Sequence, residues 1–181
     1  MADSFLTPNG GVQAVASFCG VRDPSPDFLR AVDAAAVAVR QRCGPVLLEE
    51  GLTFESPGWV RTLVLPFRVA AVESIVTDDG ATLAVGDFRV PAHHLGGHGG
   101  QLVARRDGGQ IPPCTVTYSS GWAHGAYPAT LVGAGFELVR HLWRTQLGNQ
   151  RTGDEQGGAW LWPRQAEQLA ADWMLAPLGF A

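Results

Sequence analysis

The chain has 181 residues, 46% of them apolar, and a formal net charge of -4. That is enough material for one core of ordinary size with a small satellite, and it excludes disorder of the whole chain. An acidic protein has no global attraction for phosphate backbones, and no stretch approaches the roughly 18 continuous apolar residues of a membrane span, so gripping of nucleic acid and membrane insertion are both disfavoured.

All thirteen basic residues are arginine, which with the heavy Ala, Gly and Val usage points to a GC-rich coding genome. Three cysteines, at positions 19, 43 and 114, are odd in number and lack C-x-x-C spacing, so buried free thiols are expected rather than a disulfide framework. Residues 1–11 have neither a basic nor an apolar signal region, and the chain is expected to be cytoplasmic when made.

Val12 to Cys19 is short and mostly apolar with Gly20 as a stop, which predicts a brief first helix. Ser25-Pro26-Asp27 carries a full helix start: an N-cap, a proline at the first helical position, and an acid at the positive dipole end. A helix over 26–43 follows, with Phe28, Val32, Ala35, Ala36, Val39 and Cys43 on one stripe, and Gly44-Pro45 ends it.

Over 46–119 the helical period gives way to short β-branched runs cut by Pro and Gly. Strands are predicted at 59–65, 69–77, 83–85 with 88–90, 102–106 and 114–119. Asp78-Asp79-Gly80 is a hairpin signal, because the glycine supplies the positive φ of a tight turn. Glu49-Glu50 is read as solvated charge flanking a helix end, and 93–100 as a loop.

Tyr127-Pro128 opens the longest apolar helix, 128–147, whose apolar residues cover more than one face and so predict burial against two neighbours. Gly133 and Gly135 each cost about 1 kcal/mol against alanine in a helix, which suggests a close approach there. Residues 148–158 are polar and Gly-rich, a linker. The tail then returns to apolar sequence, with a short helix predicted from Pro163 to Trp173.

Candidate chemistry is thin. His93, His94 and His98, with Cys114 or His124, have the ligand types of zinc but no known zinc spacing, and Gly96, Gly97, Gly99 and Gly100 give them no rigid support. Ser119-Ser120 with His124 lacks the G-x-S-x-G elbow of an exposed nucleophile and is read as a strand end, with Gly121 as the turn after it. The Gly96–Gly100 run lacks the Lys-Ser/Thr of a phosphate loop, and Arg105-Arg106 is too small a basic patch for nucleic acid. No catalytic, cofactor or metal residue is assigned. A small histidine-dependent hydrolase or metal enzyme remains the rival reading.

The tail is harder to dismiss. Trp160, Leu161, Trp162, Pro163, Trp173 and Phe180 lie beyond a linker that cannot bury them, so they dock either on the chain's own bundle or on a partner.

The β run RTLVLPFRVAAVESIVTDDGATL, the strand end VTYSSGW leading through Pro128 into an apolar helix, and the tail GAWLWPRQAEQLAADWMLAPLGFA together resemble the head-to-tail adaptor proteins of long-tailed actinobacterial phages, also called head-completion or neck connector proteins. The resemblance spans nearly the whole chain. It implies an α+β fold: a helical bundle with an inserted antiparallel β region as an adaptor core (1–148), then a linker and docking tail (149–181). It further implies a structural virion protein, assembled from the host cytoplasm, with about twelve copies in a ring beneath the portal. That ring extends the DNA channel and receives the stopper, and double-stranded DNA passes through without sequence-specific binding. The tail residues named above would engage the portal or a neighbouring subunit. The family has no catalytic residues to transfer. Another neck or tail-completion protein, such as a stopper, is the nearer alternative.

Overall fold

The computed structural model describes residues 5–7, 11–90, 101–147 and 162–174. The fold is α+β, with four α-helices and two antiparallel sheets among the described residues. It divides into an α unit, Met1–Arg42 with His124–Ala171, and a β unit, Cys43–Ala123 with Asp172–Ala181.

In the α unit, α1 spans Gln13–Cys19 and ends at Gly20, whose φ of 72° allows the Val21 N–H to reach back to the Ala16 carbonyl at 2.8 Å. α2 spans Pro26–Cys43, and the Phe28 N–H donates to Ser25 Oγ at 3.2 Å, the cap expected from the sequence. Phe28, Val32, Ala35 and Val39 of the predicted stripe are buried, joined by Ala31 and Ala38.

α3 spans Ala129–Leu142, and the expected run to residue 147 is completed by a wider π turn, Trp143–Leu147. It packs against both α1 and α4, which spans Arg164–Ala170 and runs into a 3-10 turn, Ala171–Trp173. The breadth of the apolar surface on α3 is explained by these two contacts. Glu137 is buried on α3, and its carboxylate accepts a bond from the Arg140 guanidinium one turn on.

In the β unit the strands are β1 (Glu49–Ser56), β2 (Thr62–Leu65), β3 (Val69–Thr77), β4 (Thr82–Leu83), β5 (Phe88–Arg89), β6 (Gln101–Arg105) and β7 (Cys114–Ser120). One sheet has the order β1-β7-β3-β4 and the other β2-β6-β5. Two corners join them. β4 passes into β5 through a 3-10 turn, Val85–Asp87, so the predicted strands at 83–85 and 88–90 shrink to two residues each. At the other corner, Ser56 pairs with Cys114 and Val60 with Ile111, so the line of β1 continues into β2 across Pro57-Gly58-Trp59. Strands that change sheets at such bends make the corners of a two-sheet sandwich. Leu63, Leu65, Ile75, Phe88, Val103, Val116 and Tyr118 from both sheets form its single core.

β1 overturns the reading of Glu49-Glu50 as charge beside a helix end, for both acids lie at the start of an edge strand paired with β7. Leu52 and Phe54 alternate toward the core, but an irregularity between Glu49 and Leu52, with Gly51 at φ 70°, breaks the period-two pattern where it would have been recognised. The hairpin at 78–80 forms as expected. The Gly80 N–H closes the turn on the Thr77 carbonyl at 2.8 Å with φ 85° at the glycine, and the Thr77 hydroxyl is shared between the Asp79 carboxylate and the Ala81 carbonyl.

Candidate assembly surfaces

The first part of the tail is built into the α unit. Trp162 is only 7% exposed, with the Arg42 guanidinium 5.1 Å from its ring centroid. Pro163 precedes α4, and its carbonyl accepts the Glu167 N–H at 3.1 Å. Glu167 in turn pairs with Arg42 at 3.1 Å, a half-exposed ion pair of about 0.5 kcal/mol at most. Apolar burial is the larger effect: Ala166 and Ala170 are wholly buried, and small residues there let α4 approach α3. Gly133 of α3 meets Leu169 at ordinary contact distance, 3.5 Å from where its Cβ would stand. Gly135 is the tighter position, where a Cβ would overlap Leu6 Cδ2.

Trp173 belongs to the β unit, where it meets Trp122 with ring centroids 5.3 Å apart. The Arg68 guanidinium lies over the same Trp122 ring at 4.8 Å and donates to the Gly121 carbonyl at 2.6 Å. Burial pulls the Arg68 pKa down from its ordinary value. The backbone of Trp122 is fixed against the segment 46–48 in a parallel bridge: its N–H donates to the Val46 carbonyl and its carbonyl accepts the Leu48 N–H, both at 3.0 Å. Gly121 makes this possible, with φ 97° and no room for a Cβ beside the Leu47 carbonyl. The sequence reading took Trp122 only as the end of a strand motif; its part as the seat for Trp173 depends on a partner fifty residues away.

Trp160, Leu161 and Phe180 lie outside the described residues, as do His93, His94 and His98. His124 is exposed in the α unit with its ring 6.1 Å from that of Tyr127, whereas Cys114 is buried in the β unit. Burial, with a smaller contribution from Asp78, pushes the Cys114 thiol pKa up, away from the thiolate that metals and electrophiles require. Among the described residues no three His, Cys, Asp or Glu side chains gather where they could hold a metal. Ser119 and Ser120 are buried at the end of β7, and the Ser119 hydroxyl donates to the Ala71 carbonyl at 3.4 Å. They close a strand, as their sequence context suggests.

The surface carries large apolar groups that the sequence reading did not single out. Trp59 is 65% exposed at the corner between β1 and β2, Val64 on β2 is 54% exposed, and Leu48 before β1 is 44% exposed. Trp59 was expected to begin a strand; Pro57-Gly58 just before it is the signal of the bend that turns it outward instead.

No protein-family model matches the sequence. Comparison with curated proteins gives no match either. Solved structures do match along the whole chain. A chain of the virion of the native gene transfer agent particle superposes with a TM-score of 0.58 at 18% identity, covering 100% of this chain and 96% of that one. A chain in the neck of the empty gene transfer agent particle, computed with C6 symmetry, gives 0.62 at 16% identity with the same coverage. A chain in the neck of the native particle, computed with C12 symmetry, gives 0.55 at 19% identity over 92% of this chain and 91% of that one. At such identities the likeness is one of fold, and it extends over the α and β units alike.

Proposed function

We propose that this chain is a structural protein of a virion neck, a head-to-tail adaptor that assembles as a ring under the portal and joins the capsid to the stopper and tail. The observation that carries this reading is the full-length fold likeness to chains in gene transfer agent necks, reaching a TM-score of 0.62 with 96% of the neighbour covered. A neighbour in a neck computed with C12 symmetry supports a ring of about twelve copies. The likeness does not reach to the phage or host, and the actinobacterial origin implied by the resemblance is part of the proposal.

The physical chemistry is in keeping with a conduit. A net charge of -4 avoids the counterion-release affinity with which a basic surface would hold DNA still, so duplex can pass without being gripped. Catalysis and cofactors have no part in this reading. Trp162 and Trp173 have partners within the chain, so the tail groups offered to the portal or to a neighbouring subunit are Trp160, Leu161 and the segment 175–181 that contains Phe180, with Pro163 directing the chain between them.

Native mass spectrometry of the chain with the portal protein encoded in the same genome tests this. A complex with about one copy per portal subunit is expected. No complex with an intact portal ring would overturn the adaptor role, and binding only to a preformed portal–adaptor assembly would identify a stopper.

A further inference from the structure

Trp59 is the most exposed large apolar side chain among the described residues, at 65%, and Val64 on β2 is also more than half exposed, at 54%. Tryptophan so exposed leaves a large apolar area in water, and it is the residue most enriched at interface hot spots. β2 is an edge strand in the order β2-β6-β5, and within Thr62–Leu65 it carries neither the charge nor the proline with which exposed edges are usually blunted. The edge strand β1, by contrast, carries exposed Glu50 and Glu55.

Charge indicates what covers this surface. Arg61 is exposed between Trp59 and Val64, and Arg89 is exposed on the same three-stranded sheet. A surface of the opposite character lies at the far end of β1, where exposed Leu48 stands next to the acidic start of the strand with exposed Glu50. Among the described residues neither Arg61 nor Glu50 has an ion-pair partner. The eight residues of β1 rise about 3.3 Å each, so the two surfaces stand about 25 Å apart and one copy cannot join them to each other.

Resting on the ring reading above, we infer that successive copies meet head to tail, with Trp59, Arg61 and Val64 of one copy seated on Leu48 and Glu50 of the next. Two different surfaces on one chain make the heterologous contact that closes into rings, whereas a two-fold contact would set Arg61 against Arg61. Tryptophan and valine bury against leucine, and the arginine–glutamate pair fixes the direction.

The test places Leu48→Cys and Trp59→Cys in one full-length chain and treats it with a short bis-maleimide crosslinker. A ladder of covalent oligomers is expected on denaturing electrophoresis. A mixture of the two singly substituted chains should stop at dimers, and the wild type sets the background from Cys19. Adding Arg61→Glu, or Glu50→Arg, should reduce the ladder at least tenfold, and adding both should restore it; these are surface positions, and circular dichroism checks the fold. Absence of the ladder, or a ladder indifferent to Arg61→Glu, overturns the contact. Portal binding by the wild type is measured in parallel. If the portal complex forms without the ladder, the contact is wrong and the neck reading stands; if the ladder forms without portal binding, the contact stands and the neck reading falls.

Discussion

Trp122 and Trp173 meet at right angles, planes 83° apart and centroids 5.3 Å apart, while Arg68 lies over the Trp122 ring. An edge-to-face pair of this kind adds about 1 kcal/mol to the area it buries, and the cation adds a contribution of similar size. Trp173 is half-buried, so Trp173→Ala should cost about 1–2 kcal/mol in chemical denaturation of the full chain, and Trp173→Phe less than half of that. Equal losses in the two variants would show that the ring contact contributes nothing beyond its area.

Two glycines of α3, two residues apart, should respond oppositely to alanine. At Gly133 a methyl reaches Leu169 at 3.5 Å, an ordinary contact, so Gly133→Ala should stabilise by up to about 1 kcal/mol through helix propensity. At Gly135 the same methyl would overlap Leu6, which is wholly buried and would have to shift within the packed core. Overpacking costs about 1–3 kcal/mol, more than propensity returns, so Gly135→Ala should lower the melting temperature. Leu6→Ala combined with it should recover part of the loss, because the two changes share one site.

The tail should divide functionally at Met174. A chain ending at Gly158 loses Trp162, Ala166 and Ala170 from the α unit and should be destabilised by about 3 kcal/mol or more. A chain ending at Met174 keeps those groups and the Trp122–Trp173 pair, so its melting temperature should stay near that of the full chain. On the adaptor reading, this shorter truncation abolishes the portal complex. Portal binding that survived it would remove residues 175–181 from the interface.

What was legible in the sequence was whatever is decided locally. Ser25-Pro26-Asp27 set the start of α2, Gly20 the end of α1, and Asp78-Asp79-Gly80 the β3–β4 turn, because capping and positive φ are properties of a few neighbouring residues. β1 was missed because its irregularity near Gly51 shifts the alternation and its edge position puts Glu50 and Glu55 in water, where a strand looks like a loop. Trp59 was assigned to a strand because its apolar character suits one, and only the bend at Pro57-Gly58 turns it outward. The seat of Trp173 was not legible at all. It depends on Trp122, Arg68 and Gly121, which are adjacent only after β3 and β7 have paired.

Cys19 gives a chemical readout of α1 packing. Burial pushes its thiol pKa up to about 11; Arg140 and Arg144 pull it down in part, and Glu137 adds a small upward contribution. The unfolded thiol titrates near 9.0, so at pH 8 the folded chain holds about 100-fold less thiolate at this position than the unfolded chain. Iodoacetamide labelling followed by peptide mass spectrometry should show that ratio. The folded-state pKa is raised, so the contribution to stability is fully present below pH 9 and is lost as pH rises through 11. Cys19→Ser should therefore flatten the alkaline arm of the stability profile between those values. Arg140→Met, which removes the largest opposing charge, should slow labelling further, and faster labelling would show instead that Arg140 holds α1 closed through its contact with Phe18, whose ring lies 5.2 Å from the guanidinium.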